Sequence, residues 1–471
     1  MRLHLTALGA AVLLAACSVG PEYRRPDLDV PNAYRAEEAP SANSVADLAW
    51  WEIYQDKALQ QLLKTALEKN PDVRIAVARV AESRAQLGVA RRGQLPQLDA
   101  VASGQRGRVF QSGQYVTGAQ FIAEAQVSYE IDLWQRLASL SDAARADLLA
   151  TEFARDNVRV SLIGDVATAY FDLLSLDQQL QITQRTVVTR ERFLELTQSK
   201  FRQGASSGLD VSRAEANLAA ARANLPDLLR QIEQKENQLQ TLLGQNPGPI
   251  VRGGTQLQAM PVPPEVPAGL PSSLLERRPD LRQAESSLAG STALVRAARA
   301  ALFPTISLTG SLGSQSLELS DLFSAPTKVW SVGLFALQPL IDANRSGYQV
   351  DAARAREEQA LLQYQKSVQE AFREVSDALV ARRGFADFQL AQEQQVQALR
   401  EASRRVLKRY EVGFSSYFEV IDADSSLFNA ELQLVQAYRN TLVSLVQLYK
   451  ALGGGWGQAA NPQAAASTQV T

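Results

Sequence analysis

The sequence contains an internal duplication with a period of about 209 residues. Three short motifs occur twice, in the same order, in the two halves of the chain. The matching segments are residues 70–74 and 278–282, 95–98 and 303–306, and 204–207 and 413–416. This period is far longer than that of a solenoid repeat, so the chain consists of two copies of one sub-domain.

Each copy begins with a helix and continues into an alternating pattern. Pro71 and Pro279 suit the first turn of a helix, and Pro96 and Pro304 end the two predicted helices. Apolar and polar residues then alternate, which predicts two strands per copy, each with one apolar and one polar face. Strands of about ten or more residues can cross a bilayer when tilted. A soluble sandwich would alternate in the same way and stays open as the alternative.

Two very long helices are predicted after the strands. Proline is absent from residues 97–225 and 340–461, and segments 138–201 and 347–410 contain no cluster of turn residues. At about 1.5 Å per residue, each segment makes a helix about 100 Å long. Such lengths are typical of coiled coils.

The helix that follows each long helix carries an apolar stripe with a three-four spacing. This spacing is typical of a left-handed coiled-coil seam. The stripe residues are Val211, Ala214, Leu218, Ala221, Leu225, Leu228, Ile232, Leu239 and Leu242 in the first copy, and Val420, Ala423, Leu427, Ala430, Leu434, Ala437, Thr441, Ser444 and Leu448 in the second.

The N-terminus has the pattern of a bacterial lipoprotein signal. Arg2 precedes a short apolar stretch that ends in Leu14-Ala15-Ala16-Cys17, and the Cys17 thiol is the expected acceptor of diacylglycerol. Ser18 at the next position favours the outer membrane over the inner one. An ordinary signal peptide with an incidental cysteine stays open as the alternative.

Composition excludes most chemistry for the rest of the chain. Lys and Arg number 48 and Asp and Glu number 50, so there is no electrostatic case for nucleic-acid binding. His4 and Cys17 are the one histidine and the one cysteine, which rules out disulfides, Cys/His zinc sites and Ser-His or Cys-His catalysis. We therefore expect no catalytic residues, no metal and no cofactor beyond a covalent lipid on Cys17.

These patterns give a provisional domain organisation. The order is a signal peptide at 1–16, a lipidated N-terminal segment at 17–69, repeat 1 at 70–244, a linker rich in proline and glycine at 245–277, repeat 2 at 278–452 and a flexible tail at 453–471.

Four membrane strands per chain cannot close a barrel, and an open sheet edge is not viable in lipid. The strands must therefore close across subunits. Two copies would give a filled barrel of eight strands, whereas three give twelve strands and a lumen. We thus predict a mainly α fold with membrane β-strands in an obligate oligomer, and the strand count alone leaves both barrel sizes open.

The sequence resembles the outer-membrane factor family of tripartite efflux systems, TolC-like and closest to the OprM/NodT lipoprotein branch. The resemblance is carried by the lipoprotein box, Pro21-Glu22-Tyr23, Trp50-Trp51 and residues 271–280, 298–304 and 449–456. It implies a mainly α fold with membrane β-strands, in which the duplicated chain forms one third of a trimeric 12-stranded β-barrel continued by a long α-helical barrel. The homotrimeric channel would lie in the outer membrane, lipid-anchored and extending into the periplasm. It also implies passive export of drugs or other small toxic compounds from a periplasmic adaptor and an inner-membrane pump of the RND type.

The resemblance further implies a gate at the periplasmic tip. Phe418, Glu419 and Asp422 match constriction residues of the family, and threefold symmetry would make each a ring. A carboxylate ring would favour cations, and mutual repulsion would raise the pKa values of its members. A solvated helix face is the ordinary alternative for two carboxylates three residues apart.

Asp210 matches a family residue that ties the two helical turns of one protomer together, with Tyr410 as its hydroxyl partner. Ser415 and Ser425 stand where family members carry arginines, so the closed gate would have fewer charge-assisted bonds and rely on packing around Phe418.

Two other functions stay open. A periplasmic structural or adhesive coiled-coil lipoprotein would account for the helices and the anchor but not for the alternating strands. A carboxylate-dependent hydrolase lacks a supporting motif.

Overall fold

The computed structural model describes residues 19–34, 53–254, 256–260, 269 and 271–454. The predicted signal peptide, Cys17 and most of the predicted tail lie outside these residues. In chain order the elements are α1 (Lys57–Lys69), α2 (Pro71–Arg92), β1 (Gln97–Gln111), β2 (Gln114–Glu130), α3 (Arg136–Arg202), α4 (Gly208–Leu242), α5 (Pro271–Arg277), α6 (Pro279–Ala300), β3 (Thr305–Ser316), β4 (Lys328–Leu337), α7 (Arg345–Glu411) and α8 (Tyr417–Ala451).

The duplication is directly visible in the helix lengths. Helices α2 and α6 have 22 residues each, α3 and α7 have 67 each, and α4 and α8 have 35 each. Pro71 and Pro279 begin the equivalent helices α2 and α6, as their place in the sequence predicts. Among the described helices, none combines the length and the apolar character needed to cross a membrane.

Equivalent residues of the two copies cap the C-terminal ends of the equivalent helices α4 and α8 with different side chains. Asn70 Nδ2 donates to the carbonyl of Leu242 in the last turn of α4 at 2.9 Å. At the matching position, Arg278 Nη1 donates to the carbonyl of Ala451 in the last turn of α8 at 3.0 Å. Both contacts satisfy a C-terminal carbonyl that has no partner within its own helix.

The four strands form one antiparallel sheet in the order β1-β2-β3-β4. Each of the three ladders has a continuous register without a bulge. Leu98 pairs with Val127, Val127 with Gly310, and Gly310 with Val332, so one row crosses the whole sheet.

Apolar side chains share one face of this sheet. The next row on that face is Ala100, Ala125, Leu312 and Trp330, and the side chain of Trp330 is 76% exposed. The face is therefore uncovered in a single chain, which is the opposite of a soluble sandwich, whose inner faces pack on each other.

Two compact units divide the described chain, and they do not coincide with the two repeats. Among the described residues, the first comprises those within 19–28, 78–152 and 283–366, and the second those within 29–34, 53–77, 153–282 and 367–454. Each unit thus takes segments from both copies, because equivalent elements of the two copies pack side by side.

The first unit holds the sheet and the helix segments that join it. Trp134 stacks on Phe303 with ring centroids 4.7 Å apart and donates from Nε1 to the carbonyl of Pro304 at 2.9 Å. Near the N-terminus, Arg25 pairs with Glu285 at 2.6 Å and the Tyr23 hydroxyl donates to the same carboxylate. The Pro21-Glu22-Tyr23 motif therefore secures the N-terminal segment to α6.

The second unit holds α1, α4, α5, α8 and the remaining parts of the long helices. Helix α1 lies within the predicted N-terminal segment 17–69, and α5 lies within the predicted linker 245–277, so both segments contain regular structure that composition alone did not indicate. Leu59 and Leu63 of α1 are fully buried, which shows that this helix belongs to the core of the unit.

Candidate functional site

The predicted gate residues lie at the two turns that connect long helices in the second unit. The first turn, residues 203–207, joins α3 to α4, and the second turn, residues 412–416, joins α7 to α8. The second residue of each turn is a glycine in the left-handed region, Gly204 at φ +73° and Gly413 at φ +86°. The amide after each glycine donates to the carbonyl five residues earlier, at 2.8 Å in both turns, which is a Schellman closure.

Each turn ends in a serine that begins the next helix with a capping box. Ser207 Oγ accepts from the amide of Asp210, and Ser416 Oγ accepts from the amide of Glu419. The two carboxylates accept in return from the serine amides at 3.1 and 3.0 Å. Asp210 and Glu419 are thus equivalent residues of the two copies with the same local role.

These capping bonds set the charge state of both carboxylates. Hydrogen bonds from the backbone and side chain of Ser416 lower the pKa of Glu419 below its ordinary value. Partial burial raises the pKa of Asp210, but hydrogen bonds from Ser207 and Ser206 outweigh burial and lower it overall. Within one protomer the pKa of Glu419 is therefore lowered, whereas repulsion within a ring of carboxylates would raise it.

The three predicted constriction residues are accessible in a single protomer. Phe418 is 61% exposed, and Glu419 and Asp422 are also exposed. The guanidinium carbon of Arg213, on α4, lies 5.9 Å from the centroid of the Phe418 ring. The start of α8, directly after the second turn, therefore exposes a large aromatic side chain and two carboxylates.

Asp210 and Tyr410 are not joined by a hydrogen bond within the described residues. The hydrogen-bond partners of the Asp210 carboxylate are Ser206 and Ser207. Tyr410 is buried, and its hydroxyl lies 3.4 Å from Thr197 Oγ1. Within one protomer Asp210 therefore caps the start of α4, and Tyr410 packs between helices.

Tyr410 instead belongs to an apolar cluster that joins all four helices near the turns. Its buried members are Phe193, Ala214, Tyr410, Tyr417 and Val420. Lys200 adds two contacts: its Nζ donates to the carbonyl of Tyr410 and lies 4.0 Å from the Tyr410 ring centroid. Lys200 thus ties the last turn of α3 to the last turn of α7.

A buried ion pair below this cluster was not expected from the sequence. Arg190 Nε donates to Asp424 Oδ2 at 2.8 Å, with the two side chains only 5% and 11% exposed. Arg190 Nη1 also donates to the carbonyl of Asn217 at 2.9 Å. Burial raises the pKa of Asp424, although the Arg190 charge opposes the increase. One arginine therefore links α3, α4 and α8.

A second buried carboxylate lies seven residues further along α8. Glu431 accepts from Arg400 of α7 at 2.8 Å and from Arg185 of α3. Seven residues are two helical turns, so Asp424 and Glu431 lie on the same face of α8. Together they connect α8 to α3 and α7 by charge-assisted bonds, which are stronger than neutral ones.

The predicted stripe of α8 is buried at six of its nine positions, and two carboxylates are buried beside it. The buried members are Val420, Ala430, Ala437, Thr441, Ser444 and Leu448, whereas Ala423, Leu427 and Leu434 are partly buried and Asp424, Phe428, Glu431 and Val435 are buried outside the stripe. The predicted stripe of α4 is buried to the same extent, at Ala214, Leu218, Ala221, Leu228, Ile232 and Leu239. The signal in α8 was available: Asp424 lies four residues from both Val420 and Phe428.

Comparison with known proteins agrees with this architecture. A family model described as "Outer membrane efflux protein" matches residues 62–245 and 270–454, one segment for each copy. The chain is 36% identical over 475 residues to the probable efflux pump outer membrane protein TtgC of Pseudomonas putida, covering 97% of each chain. It is 33% identical over 456 residues to the cation efflux system protein CusC of Escherichia coli, covering 95% of this chain and 98% of the relative.

A solved structure shows the same fold. The structure of the open state of the outer membrane channel MtrE of Neisseria gonorrhoeae superposes with a TM-score of 0.86 at 33% identity, covering 94% of this chain and 100% of MtrE. These matches confirm the predicted resemblance and the duplicated channel fold. The chain therefore belongs to the outer membrane efflux protein family, and it is a passive efflux channel of the outer membrane rather than an enzyme.

Proposed function

We propose that three copies of this chain close edge to edge into a barrel of twelve strands, which serves as a trimeric duct across the outer membrane. The observation that carries the proposal is the four-stranded sheet, whose outer strands β1 and β4 each have one side unpaired in the protomer. In hydrocarbon every unpaired backbone group costs several kcal/mol. Pairing between copies removes these edges, and twelve strands leave room for a lumen.

The chemistry of the two sheet faces supports the same arrangement. The apolar rows that contain Leu98 and Trp330 suit contact with lipid. The opposite face carries polar residues, including Asp99, Glu124 and Glu130, and suits a water-filled lumen.

At the periplasmic end, the start of α8 forms the gate in this proposal. Phe418, Glu419 and Asp422 provide one apolar and two acidic rings around the threefold axis, with Asp210 and Tyr410 placing the turns of each protomer. The exposure of these three side chains in one protomer supports this role, because a constriction residue must be free to face the axis.

The duct receives its cargo from other proteins. We infer a tripartite assembly with a periplasmic adaptor and an inner-membrane pump of the RND type, exporting drugs or other small toxic compounds. The names of relatives support this breadth, since they refer to antibiotic, toluene and cation efflux. A covalent lipid on Cys17 would anchor the mature chain in the outer membrane, and no other cofactor is proposed.

The test is pore formation by the purified, lipidated protein. We expect heat-resistant trimers on gels of unboiled samples and ion flux across liposomes that contain them. A periplasmic coiled-coil lipoprotein without a pore would give no flux. Mass spectrometry of the mature chain would show the lipid adduct, and Cys17→Ser would lack it.

A further inference from the structure

Charged side chains of the sheet are sorted completely by face. Because the ladders are continuous, residues on one strand alternate between the faces and paired residues share a face. The acidic residues of the four strands, all on the polar face, are Asp99, Glu124 and Glu130. The basic residues, all on the apolar face, are Arg106, Arg108 and Lys328. No carboxylate of these four strands shares a face with a cation.

The two arginines lie beyond the apolar rows, toward the turn of the β1–β2 hairpin. The last apolar row pairs Gly104 with Phe121, and Arg106 then pairs with Ala119 and Arg108 with Thr117. The hairpin closes at residues 112–113, at the strand ends opposite those that join the helices. These ends therefore face the external medium if the helices are periplasmic.

The height of the apolar rows places the arginines at a membrane boundary. From Tyr129 to Phe121 the strand advances eight residues, which is about 27 Å along the strand and about 21 Å along the membrane normal at a tilt of about 40°. The apolar band of such strands is about 25 Å tall. Arg106 and Arg108 follow directly, so they lie at the level of the outer headgroups.

Aromatic side chains accompany the arginines on the same face. Phe110 pairs with Tyr115, with ring centroids 5.1 Å apart. The Arg108 guanidinium carbon lies 4.7 Å from the Tyr115 ring centroid, which holds the guanidinium in place by a cation–π contact. Aromatic residues are enriched at the headgroup level of membranes.

We propose that Arg106 and Arg108, on the lipid-facing side of the β1–β2 hairpin, bind phosphate groups of lipids in the outer leaflet. The planar guanidinium fork matches a phosphate in two-point geometry, and both side chains are exposed. A lipid-facing cation is tolerated near the headgroups and is stabilised there by an anionic lipid. The inference rests on the proposed barrel, which determines that this face meets lipid.

The test compares lipid retention by the purified channel in detergent, measured by native mass spectrometry. The probes are diphosphorylated lipid A and the same lipid after removal of its phosphates. We expect the native protein to retain the phosphorylated lipid about tenfold better. Arg106→Ala combined with Arg108→Ala should abolish this preference, whereas the corresponding lysine variants should keep part of it.

A matched control lies at the same level on the opposite face. Gln105 and Gln120 are paired and hydrogen-bonded at 2.9 Å, so Gln105→Ala with Gln120→Ala alters the lumen side alone. This control should retain lipid like the native protein. Equal retention by the double alanine variant, or a preference that inorganic phosphate abolishes at equal phosphate concentration, would overturn the proposal.

The same preparations separate this inference from the proposed function. Trimers that conduct ions but show no phosphate preference would refute lipid recognition alone. A preparation that neither forms trimers nor conducts would refute the barrel itself.

Discussion

Arg190 and Asp424, 234 positions apart in the sequence, form an almost fully buried ion pair at 2.8 Å. The pair joins α3 of the first repeat to α8 of the second, near the start of α8 that carries the predicted gate residues. Buried charges are stable only when paired and hydrogen-bonded, so the contact fixes the relative position of the two helices. Gate residues on α8 are thereby held by a contact that is not itself part of the constriction.

Breaking this pair from one side should loosen the turns. Asp424→Asn leaves Arg190 buried without its counter-charge, which costs about 3–5 kcal/mol for buried pairs. Hydrogen exchange measured on residues 185–220 and 412–435 should become at least about tenfold faster. The control is Asp422→Asn, two residues away and exposed, which should leave exchange unchanged.

Removing both Arg190 and Asp424 should largely restore protection against hydrogen exchange. In Arg190→Met combined with Asp424→Leu, no unpaired charge remains and the site is filled with apolar groups, which is often neutral or stabilising. Exchange in the double variant as fast as in Asp424→Asn would show that the pair does not act through uncompensated charge.

The gate proposal predicts distinct effects of its apolar and acidic residues. Phe418→Ala should raise single-channel conductance in planar bilayers, because it widens the constriction. Asp422→Ala should lower cation selectivity, because it removes an acidic ring. Leu209→Ala, an exposed apolar residue after the first turn, is the control. Native conductance and selectivity in both gate variants would refute the assignment.

The capping box of α8 predicts a pH dependence. The pKa of Glu419 in the folded chain is lower than its ordinary value of 4.5, so its contribution to stability is complete above that value. This contribution is lost as the pH falls through the lower, folded-state value. Ser416→Ala should weaken the start of α8 at pH 7 and reduce the acid-dependent loss, which circular dichroism between pH 7 and pH 3 measures. An acid transition that is unchanged in Ser416→Ala would show that the capping box is not the origin of this pH dependence.

Arg278 should contribute more to stability than its neighbours. It pairs with Asp280 at 2.6 Å and Glu374 at 2.7 Å and caps the end of α8, all while buried. Arg278→Ala should therefore cost about 1–3 kcal/mol, measured by denaturant unfolding of the helical part, because it leaves the buried carbonyl of Ala451 without its donor. Arg373→Ala removes an exposed pair with Asp377 in the same region and should cost less than about 1 kcal/mol. Equal losses would contradict the role of burial.

The regular elements could be predicted because their causes are local. Pro71 begins a helix because its fixed φ and missing amide suit the first turn, and the three-four stripe of α4 is buried as its spacing requires. The alternation in β2 gave the two faces of the sheet. Each of these signals lies within a few residues of the feature that it determines.

The partners of the buried charges could not be predicted because they are distant in the sequence. Asp424 and Glu431 are buried beside the apolar stripe of α8, and nothing near them identifies Arg190, Arg185 or Arg400 as the groups that compensate them. The family resemblance predicts Tyr410 as the partner of Asp210, whereas within one protomer the adjacent serines satisfy the Asp210 carboxylate. Local capping competes with long-range contacts, and at the first turn capping is the stronger.

The central claim, closure of three sheets into one barrel, is tested most directly by cross-linking the two sheet edges. Val101→Cys in β1 would be combined in turn with Val329→Cys, Ser331→Cys and Gly333→Cys in β4, which lie on the same polar face. Adjacent strands bring such pairs within disulfide distance in one register. The account predicts covalent dimers and trimers, with no larger species, in one combination and none in the single variants. Absence of cross-links in every combination, or a ladder that continues beyond three chains, would contradict it.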